Sequence, residues 1–164
     1  LLIEEGPKAL VEPENYDVRA NLMWASTLGL NGLIGAGVPQ DWAAHRAGYE
    51  LTVLYGLDHA QTLAVLVPAM LKVRAGGKKQ KLLQYGERVW GISSGTEASR
   101  IDAAIDRTRA FFETMGLPTR LADCGVQKVD VDRVVELLTE HGLTKMGESG
   151  DVTPDIIREI LALC

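Results

Sequence analysis

Two of the chain's three histidines, His45 and His59, fall in one stretch, HRAGYELTVLYGLDHAQ, residues 45–61. Neutral imidazole is a common metal ligand and the side chain that titrates closest to neutrality. The pair is therefore either part of a metal centre or two core histidines bonded to backbone carbonyls. A catalytic divalent ion usually keeps three or more protein ligands and one open position for water or substrate. Two imidazoles alone make half a site. His45 lies in a nearly apolar helical segment, on a stripe with Trp42, Tyr49 and Thr52, and His59 follows a Gly-Leu-Asp turn. Antiparallel helices joined by that turn can bring the rings together, yet spacing by itself favours the core reading. His141 adds no third ligand, because it precedes Gly142 in a last helical turn, where a cation is an ordinary stabilising feature.

The neighbouring residues carry plain readings beside functional ones. Asp58 is placed to cap the helix that His59 opens, or to orient an imidazole from behind. Gln61 and Asn31 read as buried amides with partners, or as substrate contacts. The segment GLNGLIGAGVPQ contains G-x-G without the full G-x-G-x-x-G order and follows a helix, which excludes a dinucleotide-binding phosphate turn. Its glycines read first as close-packing and helix-ending devices, and second as a turn touching cofactor or substrate. Cys124 and Cys164 fit no C-x-x-C motif and nothing demands a disulfide, which points to the reducing cytoplasm. Cys124 reads as a small buried or loop residue before it reads as a reactive thiol.

The elements that must position these groups are helical nearly throughout, and no segment alternates as a strand would. Helices are expected over about Ile3–Val11, Tyr16–Ile34, Asp41–Leu54 and His59–Val73. KKQKLLQYGERVWGI places Leu82, Leu83, Val89 and Trp90 on one side of a fifth helix. SGTE matches a capping box of Ser94 with Glu97, ahead of a helix carrying Ile101, Ala104, Ile105, Ala110 and Phe111. Asp130 caps the helix of VDVDRVVELLTEHG, and Thr153 with Pro154 opens the last one. The expected fold class is all-α.

At 164 residues, 46% of them hydrophobic, with a net charge of −5, the chain is one soluble globular domain. It has no basic patch, which argues against a nucleic-acid partner. The run Ala20–Gln40 is free of charge and as long as a membrane span of roughly 20 residues. It also holds Asn21, Ser26, Thr27, Asn31 and four glycines, so it is read as a helix buried in protein and packed through glycines, with no membrane segment. LLIEEGPKALVE lacks an initiator Met, a basic start and a cleavage site, and reads as a chain whose natural beginning lies upstream.

NGLIGAGVPQDWAAHRAGYELTVLYGLDHAQTLAVLVPAML resembles the signature region of the iron-containing (group III) alcohol dehydrogenases, in particular the NADPH-dependent butanol dehydrogenase and aldehyde reductase branch. The likeness continues through LLIEEGPKAL, ENYDVRANLMWA, KLLQYGERVW, RIDAAI and EHGLTKMGE. It implies that residues 1–164 form the C-terminal all-helical, metal-binding domain of the dehydroquinate synthase-like type. It also implies that His45 and His59 bind a divalent ion, Fe2+ or Zn2+. The remaining ligands, an aspartate and a histidine, would lie upstream of Leu1, as would the α/β domain that binds NADP(H) or NAD(H).

The family commonly has another histidine four residues after the first ligand, close to the cofactor and able to assist proton movement; here Tyr49 stands there. A phenol still donates a hydrogen bond, but with an ordinary pKa of about 10 it carries protons poorly at neutral pH. The activity implied is reversible reduction of a small aldehyde to a primary alcohol by a cytoplasmic homo-oligomer, with the chain inactive alone. Trp42 and Tyr49 would shape the pocket and exclude water. Two other readings compete: an all-helical metal-dependent phosphohydrolase, for which Asp58-His59 stands in reversed order, and a non-catalytic helical interaction module.

Overall fold

The helical spacing becomes eight α-helices in a computed structural model describing residues 1–164. They are α1 (Leu2–Val11), α2 (Tyr16–Leu30), α3 (Ala43–Tyr55), α4 (His59–Val73), α5 (Lys79–Trp90), α6 (Glu97–Thr114), α7 (Val131–Glu140) and α8 (Pro154–Leu161). Tight 3-10 turns occupy Leu33–Gly35 and Ala122–Cys124. Extended pairing is confined to one antiparallel bridge between Met146 and Val152. The all-α expectation holds.

Polar side chains start several of these helices by satisfying free N–H groups. Asp130 accepts from the N–H of Arg133 at 3.0 Å, and Thr153 from that of Ile156 at 3.5 Å. The expected Ser94–Glu97 capping box does not form. Thr96 caps α6 instead, accepting from the N–H of Ser99 at 3.2 Å. Glu97 is then the first helical residue, and its carboxylate pairs with Lys79. The geometry favours Thr96 because Gly95, at φ +104°, turns the chain one residue before it.

α4 lies at the centre, in contact with α3, α6 and α8. The main core joins Ala47 and Leu51 of α3, Val65 and Leu66 of α4, Val134 and Leu138 of α7, and Ile157 and Ile160 of α8. A smaller cluster of Leu82, Ile101 and Ile105 binds α5 to α6. Val89, expected on the same side as Leu82, is exposed.

The decisive contact lies between α3 and α4. A Cβ added at Gly48 would sit 2.8 Å from Thr62 Oγ1 and 3.2 Å from Thr62 Cβ. Thr62 is fully buried, and its hydroxyl donates to the carbonyl of His59 at 2.9 Å. The missing side chain at Gly48 thus lets the hydroxyl of α4 fill its place.

α2 departs most from expectation. It ends at Leu30, not Ile34, because Gly32 adopts φ +87°, which only glycine takes without strain. It is also not buried here: Met23, Trp24 and Leu30 are 74, 62 and 76% exposed. Its apolar residues surround the whole cylinder, whereas α1 and the 3-10 turn cover only part of it. Of the glycines at its end, Gly35 packs closely, since a Cβ added there would run into the Gln40 side chain, whereas nothing lies within 4 Å of one added at Gly29, Gly32 or Gly37.

Overpacking of the tight contact predicts that Gly48→Ala lowers stability by about 1–2 kcal/mol, helix propensity offsetting part of the clash. Gly29→Ala, in open space on α2, should raise it by up to about 1 kcal/mol. Urea unfolding midpoints of both variants check the pair.

Candidate metal centre

The α3–turn–α4 hairpin is built by local bonds. Gly56, at φ +68°, closes α3 with its N–H on the carbonyl of Thr52 at 2.9 Å, and the Thr52 hydroxyl donates to the carbonyl of Leu57 at 2.9 Å. Asp58 then takes the N-cap position, and its N–H donates to Gln61 Oε1 at 2.9 Å. His59 is the first residue of α4 as a result.

This hairpin brings the two imidazoles together. The ring centroids of His45 and His59 lie 5.2 Å apart with their planes inclined at 49°. Trp42 meets His45 edge-on at 4.8 Å, and Tyr49 stacks on His59 at 6.3 Å. The order across the surface is Trp42, His45, His59, Tyr49. Of the three histidines, His141 is the one whose ring engages a protein hydrogen-bond partner.

The site is open. His45 is half-buried and His59 exposed, while Tyr49 and Trp42 are 50 and 41% exposed, so these aromatics flank the pair without sealing it from water. One cleft of about 370 Å³ lies between Tyr49, Thr52 and the Gly56–His59 turn. Another, of about 270 Å³, lies beside His45 and is bordered by Ile34, Gly35, Val38 and Trp42. The glycine-rich turn therefore reaches the edge of the site.

Burial pushes the His45 imidazole below its ordinary 6.5, the neighbouring His59 pushes it further, and Asp41 acts in the opposite direction. The neutral ring so favoured is the form that binds metal. The donor chemistry fits a first-row divalent ion in part: the two rings supply adjacent nitrogen ligands. No group of three or more His, Cys, Asp and Glu side chains in the chain is arranged to hold an ion.

The other candidates resolve differently. Asp58 serves as a cap and Gln61 as its partner. Asn31 is exposed, and its carbonyl oxygen accepts from the N–H of Leu33 at 3.0 Å, stabilising the turn after α2. His141 ends α7 as expected, and its Nδ1 also lies 2.8 Å from Oε1 of the buried Glu50. Both cysteines are free; burial raises the Cys124 thiol above its ordinary value and pushes Cys164 up to about 12. Sequence reasoning missed Thr62, Glu50 and the ion pair of Asp41 with Lys78 at 2.9 Å. The small Gly48 amid apolar residues was the available signal for the first; the other two join distant segments.

An all-helical domain presenting an imidazole pair at an interhelical turn is a specific combination. The chain belongs to the iron-containing alcohol dehydrogenases: the profile described as "Fe-containing alcohol dehydrogenase family, C-terminal" matches residues 1–162. It is 58% identical over 159 residues to the NADPH-dependent aldehyde reductase YqhD of Escherichia coli K12, covering 97% of this chain and 41% of that protein. It is 34% identical to NADH-dependent butanol dehydrogenase B of Clostridium acetobutylicum, covering 98% of this chain and 41% of that one. The structure of the substrate- and cofactor-free E. coli YqhD superimposes with a TM-score of 0.96 at 57% identity, over 98% of this chain and 42% of that chain. NADH-dependent butanol dehydrogenase A of Thermotoga maritima superimposes at 0.90 with 26% identity, over 99% and 42%. The chain thus spans about two fifths of the length of the relatives it matches.

In an NMR titration the His45 ring should lose its proton below pH 6.5, and His59→Ala should move that titration upward by removing a neighbouring positive charge. The unfolded chain binds this proton more readily than the folded one. The His45 contribution to stability is therefore complete above 6.5 and lost as pH falls through the lower folded value. His45→Gln should flatten that part of the pH–stability curve.

Proposed function

We propose that this chain is the metal-holding helical domain of an NAD(P)H-dependent aldehyde reductase or alcohol dehydrogenase, acting on small aldehydes and primary alcohols. The observation that carries the reading is the imidazole pair, 5.2 Å apart between centroids. Family membership and the printed activities of the relatives support it.

His45 and His59 would hold a divalent ion, iron or zinc, which when bound supplies Lewis-acid polarisation of the substrate oxygen. The nicotinamide would be held mainly by an α/β domain of the same polypeptide and supplies the hydride chemistry. The chain's own residues provide placement. Burial favours the neutral form of His45, the form a metal takes. Tyr49 lies over His59 with ring centroids 6.3 Å apart and borders the cleft beside it. It stands where the family commonly has a histidine, and we assign it hydrogen bonding and orientation before proton carriage. Trp42 is held by a hydrogen bond from its Nε1 to Gln40 Oε1 at 2.9 Å and buttresses the His45 edge. Ile34 and Val38 give the adjoining cleft an apolar wall suited to a short alkyl tail.

The phosphohydrolase alternative gains no support, since Asp58 serves as a helix cap and His141 pairs with Glu50. No helix is long and apolar enough to cross a membrane. A cytoplasmic homo-oligomer is proposed for the whole enzyme on the family resemblance alone.

In the full-length enzyme, His45→Ala or His59→Ala should each strip bound metal and lower kcat/KM for NADPH-dependent aldehyde reduction by at least about a hundredfold. Tyr49→Phe should cost less than about tenfold, below the usual range for a general acid. The 164-residue chain alone should show no turnover. Metal content by elemental analysis with steady-state rates checks all three; full occupancy and normal rates in both histidine variants would leave the helical interaction module as the better reading.

A further inference from the structure

The segment that launches α3 is held by a charged network from distant parts of the chain. Asp41 Oδ1 accepts the N–H of Ala43 at 2.8 Å, which fixes the first turn of α3 just ahead of His45. The other oxygen of the same carboxylate lies 2.9 Å from Lys78 Nζ, at the corner between α4 and α5. Lys78, only 17% exposed at its side chain, pairs in addition with Glu148 of the Met146–Val152 loop. Arg74, one turn earlier at the same corner, pairs with Asp151 on that loop. Gly147, at φ +82°, lets the loop backbone pass close by: an added Cβ would lie 3.0 Å from Val152 Cγ2 and 3.8 Å from Asp41 Oδ1. Two ion pairs thus fasten the loop to the corner, and the shared lysine reaches from this base to the start of α3. Networks of this kind restrain more than an isolated surface pair, because each side chain is already ordered by another partner.

We propose that Lys78 is a positioning residue for His45, acting through Asp41 to hold the first turn of α3 so that the His45 ring faces His59; its consequence for metal affinity rests on the metal-pair reading above. Lys78 touches neither imidazole. It acts on the backbone that carries one of them.

The test uses the full-length enzyme that contains this chain. In Lys78→Ala, the nuclear Overhauser contact between the ring protons of His45 and His59 should fade. The amides of Ala43–Ala47 should exchange at least about tenfold faster while those of α7 and α8 stay protected. Zinc affinity, measured against a competing chelator, should fall about tenfold, the usual cost of losing an orienting neighbour. Lys78→Arg should restore all three. Glu148→Gln, a milder change, should move them in the same direction by less, and it decides the matter if Lys78→Ala does not fold.

An unchanged ring contact with unchanged exchange at Ala43–Ala47 overturns the proposal. So does faster exchange spread evenly over all the helices, which would mark general loosening. Unchanged zinc affinity on His45→Ala would instead sink the metal reading, leaving the ring contact and exchange to judge Lys78.

Discussion

Two helix backbones lie unusually close where Gly48 meets Thr62, and the surface of this domain is organised around that approach. His45 stands three residues before the glycine and His59 three before the threonine, so each ring is carried within one turn of the contact. A bulkier residue at either position would widen the gap and part the rings. Ala43 and Ala47, both fully buried, keep the same side of α3 thin. The threonine contributes in two ways: it fills the space and its hydroxyl bonds the carbonyl of His59, so packing and helix start are set by one side chain.

The remaining sides of α3 are occupied as well. Tyr55 accepts the N–H of Asp130 through its hydroxyl oxygen at 2.7 Å, and Glu50 meets His141 at 2.8 Å, so both ends of α7 grip the helix from behind. Glu50 is almost wholly buried, and the His141 imidazole is the one side chain that meets its carboxyl group. Asp41 holds the start of the helix and α4 covers its flank. What stays uncovered is the edge bearing His45 and Tyr49. Side chains on a helix braced on its other sides keep their geometry better than side chains on loops.

Most helices and the caps at Asp58, Asp130 and Thr153 were legible in the sequence because each depends on local spacing; spacing allowed His45 and His59 to meet across a turn, but it was the resemblance that favoured the pair. The errors share a cause. The S-x-x-E spacing points to Ser94 as the cap, but Thr96 takes the position, after the backbone turn at Gly95. Burial of α2 was inferred from its lack of charge, but burial depends on what covers a helix, and the chain's own segments leave Met23 and Trp24 open. Asn31 was placed inside for the same reason and lies outside. The Asp41–Lys78–Glu148 network and the Glu50–His141 pair join residues tens of positions apart, where no periodicity announces a partner.

The edge-on seating of Trp42 against His45 has a practical consequence. An indole in that position feels the electronic state of the imidazole beside it, because a proton or an ion arriving on the ring changes the field across the chromophore. Trp24 and Trp90, the other two tryptophans, are not ring neighbours of the pair. Trp42 is thus placed as an optical gauge: its share of the emission would shift with the charge on the ring beside it, with no label required.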